Sequence, residues 1–119
     1  MIQTHTKNNK LMAKVVDLKP WADNPRDISK ESLARLTEQL KLGSYKPILI
    51  QEDGTVLGGN MRLRAMKQAN ITEVWVSVIG FREIQGEYES TLNGVPTGKT
   101  FKTARDGIWS YALSDNDRS

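Results

Sequence analysis

The sequence has no cysteine and a single histidine, His5. Without cysteine there are no disulfides, no thiolate nucleophiles and no thiolate zinc sites. A lone histidine also argues against a multi-histidine metal site or a histidine-based catalytic pair. No apolar run approaches the roughly 20 residues that span a bilayer, and the polar N-terminal segment lacks the apolar core of a secretory signal. We therefore expect a cytoplasmic protein with no membrane partner.

The chain has 119 residues, which fits one domain on the usual scale of about 100–200 residues per domain. There are 17 lysines and arginines against 14 acidic residues, so the formal net charge is +3. This mildly basic balance suits a nucleic-acid or phosphate partner, although many ordinary domains share it. The positive charge is concentrated in two segments, residues 1–20 and residues 58–70.

Short apolar runs and helical repeats alternate along the chain. We expect a flexible polar leader over residues 1–10, followed by one domain over residues 11–119. The pattern predicts strands at residues 14–18, 47–50, 55–57 and 74–79, a helix between Ser29 and Gly43, and a second helix at residues 60–69. This order of elements is typical of a compact α/β or α+β domain, and α+β is our prediction.

The region after Gly80 has a weaker pattern. Residues 81–103 are rich in glycine, threonine and glutamate, with turn signals at Asn93-Gly94 and at residues 96–98. We expect a variable hairpin or a long loop there. Residues 104–119 contain an apolar pattern that predicts a C-terminal helical region.

The segment LGGNMRLRA, residues 57–65, is the main candidate for a binding site. A predicted strand runs into Gly58 and Gly59, and a predicted helix follows from Asn60. The glycines let a ligand approach the backbone, and the first helical turn supplies N–H groups and partial positive charge, which together suit an anion. Arg62 and Arg64 add guanidinium groups that fit phosphate. The alternative is a plain turn followed by two solvated arginines.

Two other segments carry candidate ligand residues. The turn Asn24-Pro25-Arg26 precedes the first helix and would orient Arg26 toward the same anion, although a surface arginine is the simpler interpretation. Near the C-terminus, Asp115 and Asn116 offer the oxygen ligands that a phosphate-bound Mg²⁺ prefers. The alternative there is an acidic chain end without a metal.

In this order, the motifs NPR, SLARL, KPILI, EDGTVLGGNMRLRAM and EVWVSVI resemble the ParB/sulfiredoxin superfamily, and specifically its ParB-like N-terminal (ParB-like nuclease) domain. The resemblance runs from about Val15 to Ile79, with a further match near Ala112 to Arg118. The variants it most resembles occur in phage and mobile-element proteins and beside DNA methylases. The resemblance implies a small mixed sheet with helices packed around it and a pocket for nucleotide phosphates.

The resemblance also assigns roles to single positions. In ParB proteins the corresponding segment, G-E-R-R-x-R-A, holds the triphosphate of CTP, and the matching residues here are Gly59, Arg62, Arg64 and Ala65. Asn60 and Met61 replace its Glu and its first Arg. In sulfiredoxin the segment is G-G-C-H-R, and Asn60 takes the place of the cysteine, so sulfinic-acid repair is not expected. The Asp115-Asn116 pair resembles the Glu-Asn pair that ParB uses for magnesium.

Three functions follow as hypotheses. The first is a module that binds nucleotide phosphates, the DNA backbone or both, with weak, sequence-independent DNA contacts, in phage or mobile-element DNA metabolism. The second is a Mg²⁺-dependent nuclease, nucleotide hydrolase or kinase of the same fold, with Glu31 and Asp115 as candidate catalytic carboxylates and a nucleoside triphosphate as substrate. The third is a protein-interaction domain that has lost its ligand, which the replacement at Met61 favours. An oligomer or a protein partner is compatible with each. Because a partition ParB continues into further DNA-binding and dimerisation domains, we do not expect this chain as given to read a centromere sequence.

Overall fold

The computed structural model describes residues 2–21, 29–42 and 45–116, with only the backbone of residues 115 and 116. The strands in this part are β1 (Thr4–Lys7), β2 (Lys10–Lys14), β3 (Lys19–Pro20), β4 (Ile48–Gln51), β5 (Thr55–Gly58), β6 (Glu73–Ile84), β7 (Glu87–Leu92) and β8 (Val95–Phe101). The helices are α1 (Lys30–Lys41), α2 (Asn60–Gln68) and α3 (Ala104–Asn116). These elements confirm the predicted α+β class. None of these helices is long and apolar enough to cross a membrane.

The strands form one mixed sheet in which β6 is the central member. Its strand order is β1-β2-β6-β4-β5-β3. The first half of β6 pairs antiparallel with β2 and parallel with β4, and its second half pairs antiparallel with β7. Strand β8 continues the sheet beyond β7. The small mixed sheet expected from the resemblance is therefore present.

Helix α1 forms where the sequence predicts it. The Ser29 hydroxyl accepts a hydrogen bond from the Ser32 N–H at 3.2 Å, which caps the helix N-terminus. Leu33 and Leu40 recur on one face and are buried against the core. The predicted stop at Gly43 lies outside the described residues.

The helices cover opposite faces of the sheet, as neighbouring residues of β4 demonstrate. Ile50 belongs to the larger hydrophobic core, whereas Leu49 packs on a second, smaller cluster. Because successive side chains of a strand point to opposite faces, the two clusters lie on the two sides of the sheet. The larger cluster contains residues of α1 and α2, including Leu33, Leu40, Leu63, Ala65 and Met66. The smaller one contains Trp21 and Leu57 with the α3 residues Ile108, Trp109 and Ala112.

The N-terminal segment is more ordered than the sequence predicts. Residues 1–10 were expected to form a flexible leader, but Thr4–Lys7 pairs with Lys10–Lys14 in a β-hairpin. The connection is Asn8-Asn9, with φ of 53° and 63°. Asparagine tolerates this left-handed conformation, which two-residue hairpin turns require. The proposed domain boundary at residue 11 remains a prediction.

The strand predicted at residues 14–18 is wrong. Strand β2 ends at Lys14, and Val15–Asp17 forms a 3-10 helical turn closed by a hydrogen bond from the Leu18 N–H to the Val15 carbonyl at 3.1 Å. Val15 and Leu18 are both buried, while Val16 is 85% exposed. A spacing of three between buried residues fits a 3-10 turn, in which positions i and i+3 eclipse.

The region expected as a variable hairpin or long loop, residues 81–103, extends the sheet. Strand β6 continues to Ile84 and forms a hairpin with β7, and β7 forms a second hairpin with β8. The predicted turn at Asn93-Gly94 is confirmed, with φ of 51° and 82°. The second predicted turn, at residues 96–98, is not formed as a turn between strands, because these residues lie within β8. The register of the pairing between β7 and β8 shifts there, opposite Ser90. The predicted C-terminal helix is α3, and residues 117–119 lie outside the described part.

Candidate phosphate site at the start of helix α2

Gly59 is the residue at which β5 turns into α2. It has φ of 102° and is the N-cap of the helix. A residue with a Cβ is strained in this conformation, so the turn requires glycine. Gly58, the last residue of β5, is buried beside it. The strand-glycine-glycine-helix order predicted from the sequence is therefore present.

The caps of α1 and α2 differ in a way that matters for binding. The N-cap of α1 is a serine whose hydroxyl accepts from a first-turn N–H. The N-cap of α2 is glycine, which offers no side-chain acceptor. The cap residue itself thus leaves the first-turn N–H groups of α2 available to another acceptor. These N–H groups carry the partial positive charge of the helix dipole.

Asn60 holds the turn in place through both ends of its amide. Its Oδ1 accepts from the Trp21 N–H at 3.1 Å, and its Nδ2 donates to the Val56 carbonyl at 2.9 Å. The residue is 3% exposed. A role of Asn60 in direct phosphate contact remains a prediction, but its amide already links three segments of backbone. The structure therefore gives it a positioning role that the sequence pattern did not reveal.

Arg62 is buried, with 5% of its surface exposed. Its Nη1 donates a hydrogen bond to the Lys46 carbonyl, just before β4. Its guanidinium also lies over Gly59, since a Cβ built on that glycine would stand 2.9 Å from Nη2. The sequence pattern predicted a phosphate-binding guanidinium, with a solvated arginine as the alternative. The structure buries this charge beside the glycine turn, and phosphate binding by Arg62 stays a prediction.

The other predicted site residues lie apart or outside the described part. Arg64 is exposed on α2, so the two arginines point to different sides of the helix as their spacing predicts. Glu31 is exposed in the first turn of α1. Arg26 lies outside the described residues. The structure therefore unites Gly58, Gly59, Asn60 and Arg62, and it leaves Arg64 and Glu31 on the surface.

Trp21 connects this turn to the C-terminal helix. Its ring contacts Trp109 edge-to-face, with centroids 4.8 Å apart, and both belong to the small hydrophobic cluster that contains Leu57. Ala112 is buried in the same cluster, and the backbone of α3 continues for one further turn to Asn116. The last turn of α3 thus follows directly after the cluster that contains Leu57, the residue before Gly58.

No metal ligand set is formed by the described residues. Within residues 2–21, 29–42 and 45–114, no three histidine or acidic side chains cluster closely enough to hold an ion. The side chains of Asp115 and Asn116 lie outside the described part, so their assignment to Mg²⁺ stays a prediction.

One cavity of the described residues lies away from the glycine turn. It has a volume of about 420 Å³ and lies beside Glu52 and Gly80, between the N-terminal hairpin and β7. Its walls are mostly apolar, and Glu52 contributes a carboxylate. A phosphate would be repelled by that carboxylate, so this cavity is a poor candidate for the anion site.

Comparison with known proteins identifies the family. No family model matches the sequence. The ParB-like nuclease domain-containing protein YnaK of Escherichia coli (strain K12) is 36% identical over 64 residues, which cover 53% of this chain and 74% of YnaK. The C-terminally truncated chromosome-partitioning protein ParB from Caulobacter crescentus, solved with CTP-gamma-S, has the same fold. Its TM-score is 0.60 at 19% identity over 91% of this chain. The chain spans 53%, about half, of that ParB chain. Because it covers nearly three quarters of YnaK at this identity, the chain belongs to the family of ParB-like nuclease domain proteins.

Proposed function

We propose that this domain binds the phosphates of a nucleoside triphosphate at the turn between β5 and α2. The observation that carries the proposal is the glycine N-cap of α2 beneath the guanidinium of Arg62. The N-terminus of α2 and the buried Arg62 cation lie next to each other at this turn. An anion bound at the turn would interact favourably with both positive charges.

The burial of the turn strengthens this interaction. Gly58, Gly59 and Asn60 are all buried, and so is Arg62. In a dehydrated site of low dielectric, hydrogen bonds to a charged group are stronger than at the surface. Asn60 and Arg62 also fix the turn, so little ordering is needed when a ligand binds.

The solved ParB relative is bound to CTP-gamma-S, which supports a nucleoside triphosphate as the class of ligand. The site of this chain departs from the ParB segment at Asn60 and Met61, and Met61 is buried and apolar. One arginine is therefore replaced, and we expect weaker triphosphate binding than a complete motif would give. Asp115 and Asn116 would hold a Mg²⁺ ion beside the phosphates.

We assign the domain to DNA metabolism in the cytoplasm of a bacterial or phage-infected cell. The DNA backbone offers the same phosphate chemistry as the nucleotide, and the family name of YnaK is consistent with a role on nucleic acid. Arg64 and Lys67 are exposed on α2 and would make weak contacts that do not depend on sequence.

The test measures thermal unfolding with each of the four nucleoside triphosphates, with and without Mg²⁺. A ligand at 100 times its Kd stabilises the fold by roughly 2.7 kcal/mol, so at least one nucleotide should raise the melting temperature clearly. Arg62→Lys keeps the charge but removes the forked donor, and it should weaken binding. Lys102→Gln, an exposed change between β8 and α3, is the matched control. No shift with any triphosphate would reject the proposal. Product analysis of the same samples tests hydrolysis, the enzymatic alternative.

A further inference from the structure

We propose that the sheet carries a second binding surface, for single-stranded nucleic acid, at the N-terminal hairpin. We call it the Trp75 face and define it by Lys7, Lys10, Met12 and Trp75. It does not include the glycine turn, and the proposal does not depend on nucleotide binding there.

The strand registers bring these four residues together. Met12 lies directly opposite Trp75 in the pairing of β2 with β6, and Lys7 lies directly opposite Lys10 in the hairpin. The ammonium of Lys10 is 4.8 Å from the centroid of the Trp75 ring. A cavity of about 190 Å³ opens between them, with Asn8 and Tyr45 on its walls.

The Trp75 face points away from the larger core. Its neighbours Val74 and Val76 are fully buried in that core, so Trp75 lies on the other side of β6. Trp75 is partly exposed, and Lys7 and Lys10 are exposed. Helix α3 covers the same side of the sheet, but it packs near Leu49 and Trp21, toward the sheet edge formed by β5 and β3.

Two features of the Trp75 face are unfavourable for the isolated fold. Like charges directly opposite each other in an antiparallel pair repel, and Lys7 and Lys10 form such a pair. A tryptophan that stays in contact with water loses part of the stabilisation that burial would give. A ligand with phosphates would draw the Lys10 ammonium off the Trp75 ring, and a flat apolar base would then take its place over that ring.

Single-stranded nucleic acid has this chemistry. Its phosphates pair with lysines, and its unstacked bases stack on aromatic side chains. Bases inside a duplex are already stacked and present only their edges, so they do not reach the face of Trp75. The nearby acid on this face is Glu73, which lies directly opposite Lys14 in the strand pairing, so its charge is locally offset.

The Trp75 face is also separate from the basic residues of α2. Leu63 and Met66 of α2 pack in the core with Val74 and Val76, on the opposite side of the sheet. The two basic segments of the sequence therefore lie on opposite faces of the domain. A strand bound at Trp75 does not need to displace a nucleotide bound at the glycine turn.

The experiment titrates the full chain into labelled oligothymidylate and oligouridylate of about 12 nucleotides, long enough for one such site. Binding is followed by anisotropy at several salt concentrations and by quenching of tryptophan fluorescence. The variants are Trp75→Leu and the double variant Lys7→Gln/Lys10→Gln, whose positions are exposed in a hairpin and keep the fold testable. Lys99→Gln is the matched control, because its ammonium also lies over an aromatic ring, 5.7 Å from that of Tyr111.

We expect both oligonucleotides to bind at low salt, with a slope of log K against log salt of about −1.4, since two lysine contacts each contribute about −0.7 on single strands. Trp75→Leu should weaken binding at least about fivefold, as loss of one stacked base does, and should abolish the quenching. The lysine double variant should bring the slope close to zero, whereas Lys99→Gln should leave affinity within about twofold. Stronger binding to one sugar type would identify DNA or RNA as the preferred form of the same ligand.

Four results of the oligonucleotide titrations would overturn the proposal. They are no binding of either oligonucleotide at low salt, equal affinity for a duplex of the same length, unchanged affinity and quenching in folded Trp75→Leu, and displacement of the oligonucleotide by saturating CTP. The last would mean that the strand occupies the glycine turn. Polyphosphate is a probe that has phosphates but no bases. If polyphosphate binds as tightly as oligothymidylate, the contact depends on charge alone, and this fifth result would also reject the stacking role of Trp75.

Discussion

The backbone N–H of Trp21 donates to Oδ1 of Asn60 at 3.1 Å, across 39 positions of sequence. This bond ties the residue after β3 to the first residue of α2. The amide of Asn60 also donates to the Val56 carbonyl at 2.9 Å, so one side chain satisfies two backbone groups. The conformation of the glycine turn therefore depends on Asn60.

Replacing Asn60 should destabilise the fold. Asn60→Ala leaves the Trp21 N–H and the Val56 carbonyl without these partners in a buried place, at a cost of about 1–3 kcal/mol for each group. Asn60→Asp should also destabilise, because a carboxylate would face the Val56 carbonyl oxygen. Urea unfolding followed by far-UV circular dichroism measures both effects. Gln68→Ala, at an exposed position of the same helix, should change the free energy of unfolding by less than about 0.5 kcal/mol.

Gly59→Ala should cost more than Gly98→Ala. Both glycines have positive φ, 102° and 82°, so both substitutions strain the backbone by about 1–3 kcal/mol. A Cβ at position 59 would also approach Arg62 Nη2 to 2.9 Å, whereas a Cβ at position 98 meets nothing within 4 Å. The difference between the two free energies of unfolding thus reports the contact of Gly59 with Arg62. Equal losses would contradict that contact.

Arg62→Ala should destabilise the unliganded protein, apart from any effect on phosphate binding. Its buried guanidinium donates to the Lys46 carbonyl, and a hydrogen bond from a charged group contributes about 1.5–3 kcal/mol. Arg64→Ala, two residues along and exposed, should have a much smaller effect. Thermal unfolding of both variants without ligand makes the comparison. Similar decreases in melting temperature in the two variants would show that the buried Arg62 side chain does not stabilise the fold.

The carboxylate of Asp53 should make stability sensitive to acid. Burial alone raises the pKa of Asp53, but hydrogen bonds from Thr55, one from its N–H at 2.9 Å, and the Lys19 ammonium at 3.6 Å together bring that pKa below its ordinary value. The unfolded-state pKa is about 3.9. The contribution is therefore complete above about pH 4 and is lost as pH falls through the lower, folded-state pKa.

Asp53→Asn should remove this contribution. The Asp53 and Lys19 side chains are 56% and 60% exposed, so solvent screening keeps the loss at neutral pH below about 1 kcal/mol. The free energies of unfolding of wild type and variant should converge below pH 3. Lys19→Gln separates the ion pair from the Thr55 hydrogen bond, which it leaves intact. If the difference in free energy of unfolding between wild type and Asp53→Asn grew as the pH fell, the predicted pH dependence would be contradicted.

Local signals explain why much of the secondary structure was predictable. Ser29 caps α1, Asn70 ends α2 in the left-handed conformation with φ of 58°, and Asp53-Gly54 turns between β4 and β5. Each signal acts within a few residues of its position. The N-terminal region was mispredicted because polar residues in β1 form a strand only by pairing with β2, and because Val15–Asp17 forms a turn whose Val15 N–H bonds to the Thr72 carbonyl at 2.9 Å.

The sequence by itself determined that a strand, two glycines and a helix with Arg62 follow one another, because glycine and helix signals are local. It also determined the α+β class through the order of its apolar runs. Only the tertiary structure decided that Arg62 is buried and that Asn60 is a positioning residue, since their partners Lys46 and Trp21 are 16 and 39 positions away. It likewise placed Lys10 over Trp75, because that contact depends on how β1, β2 and β6 pair. Long-range contacts of this kind arise from packing of the whole chain, and no short segment encodes them.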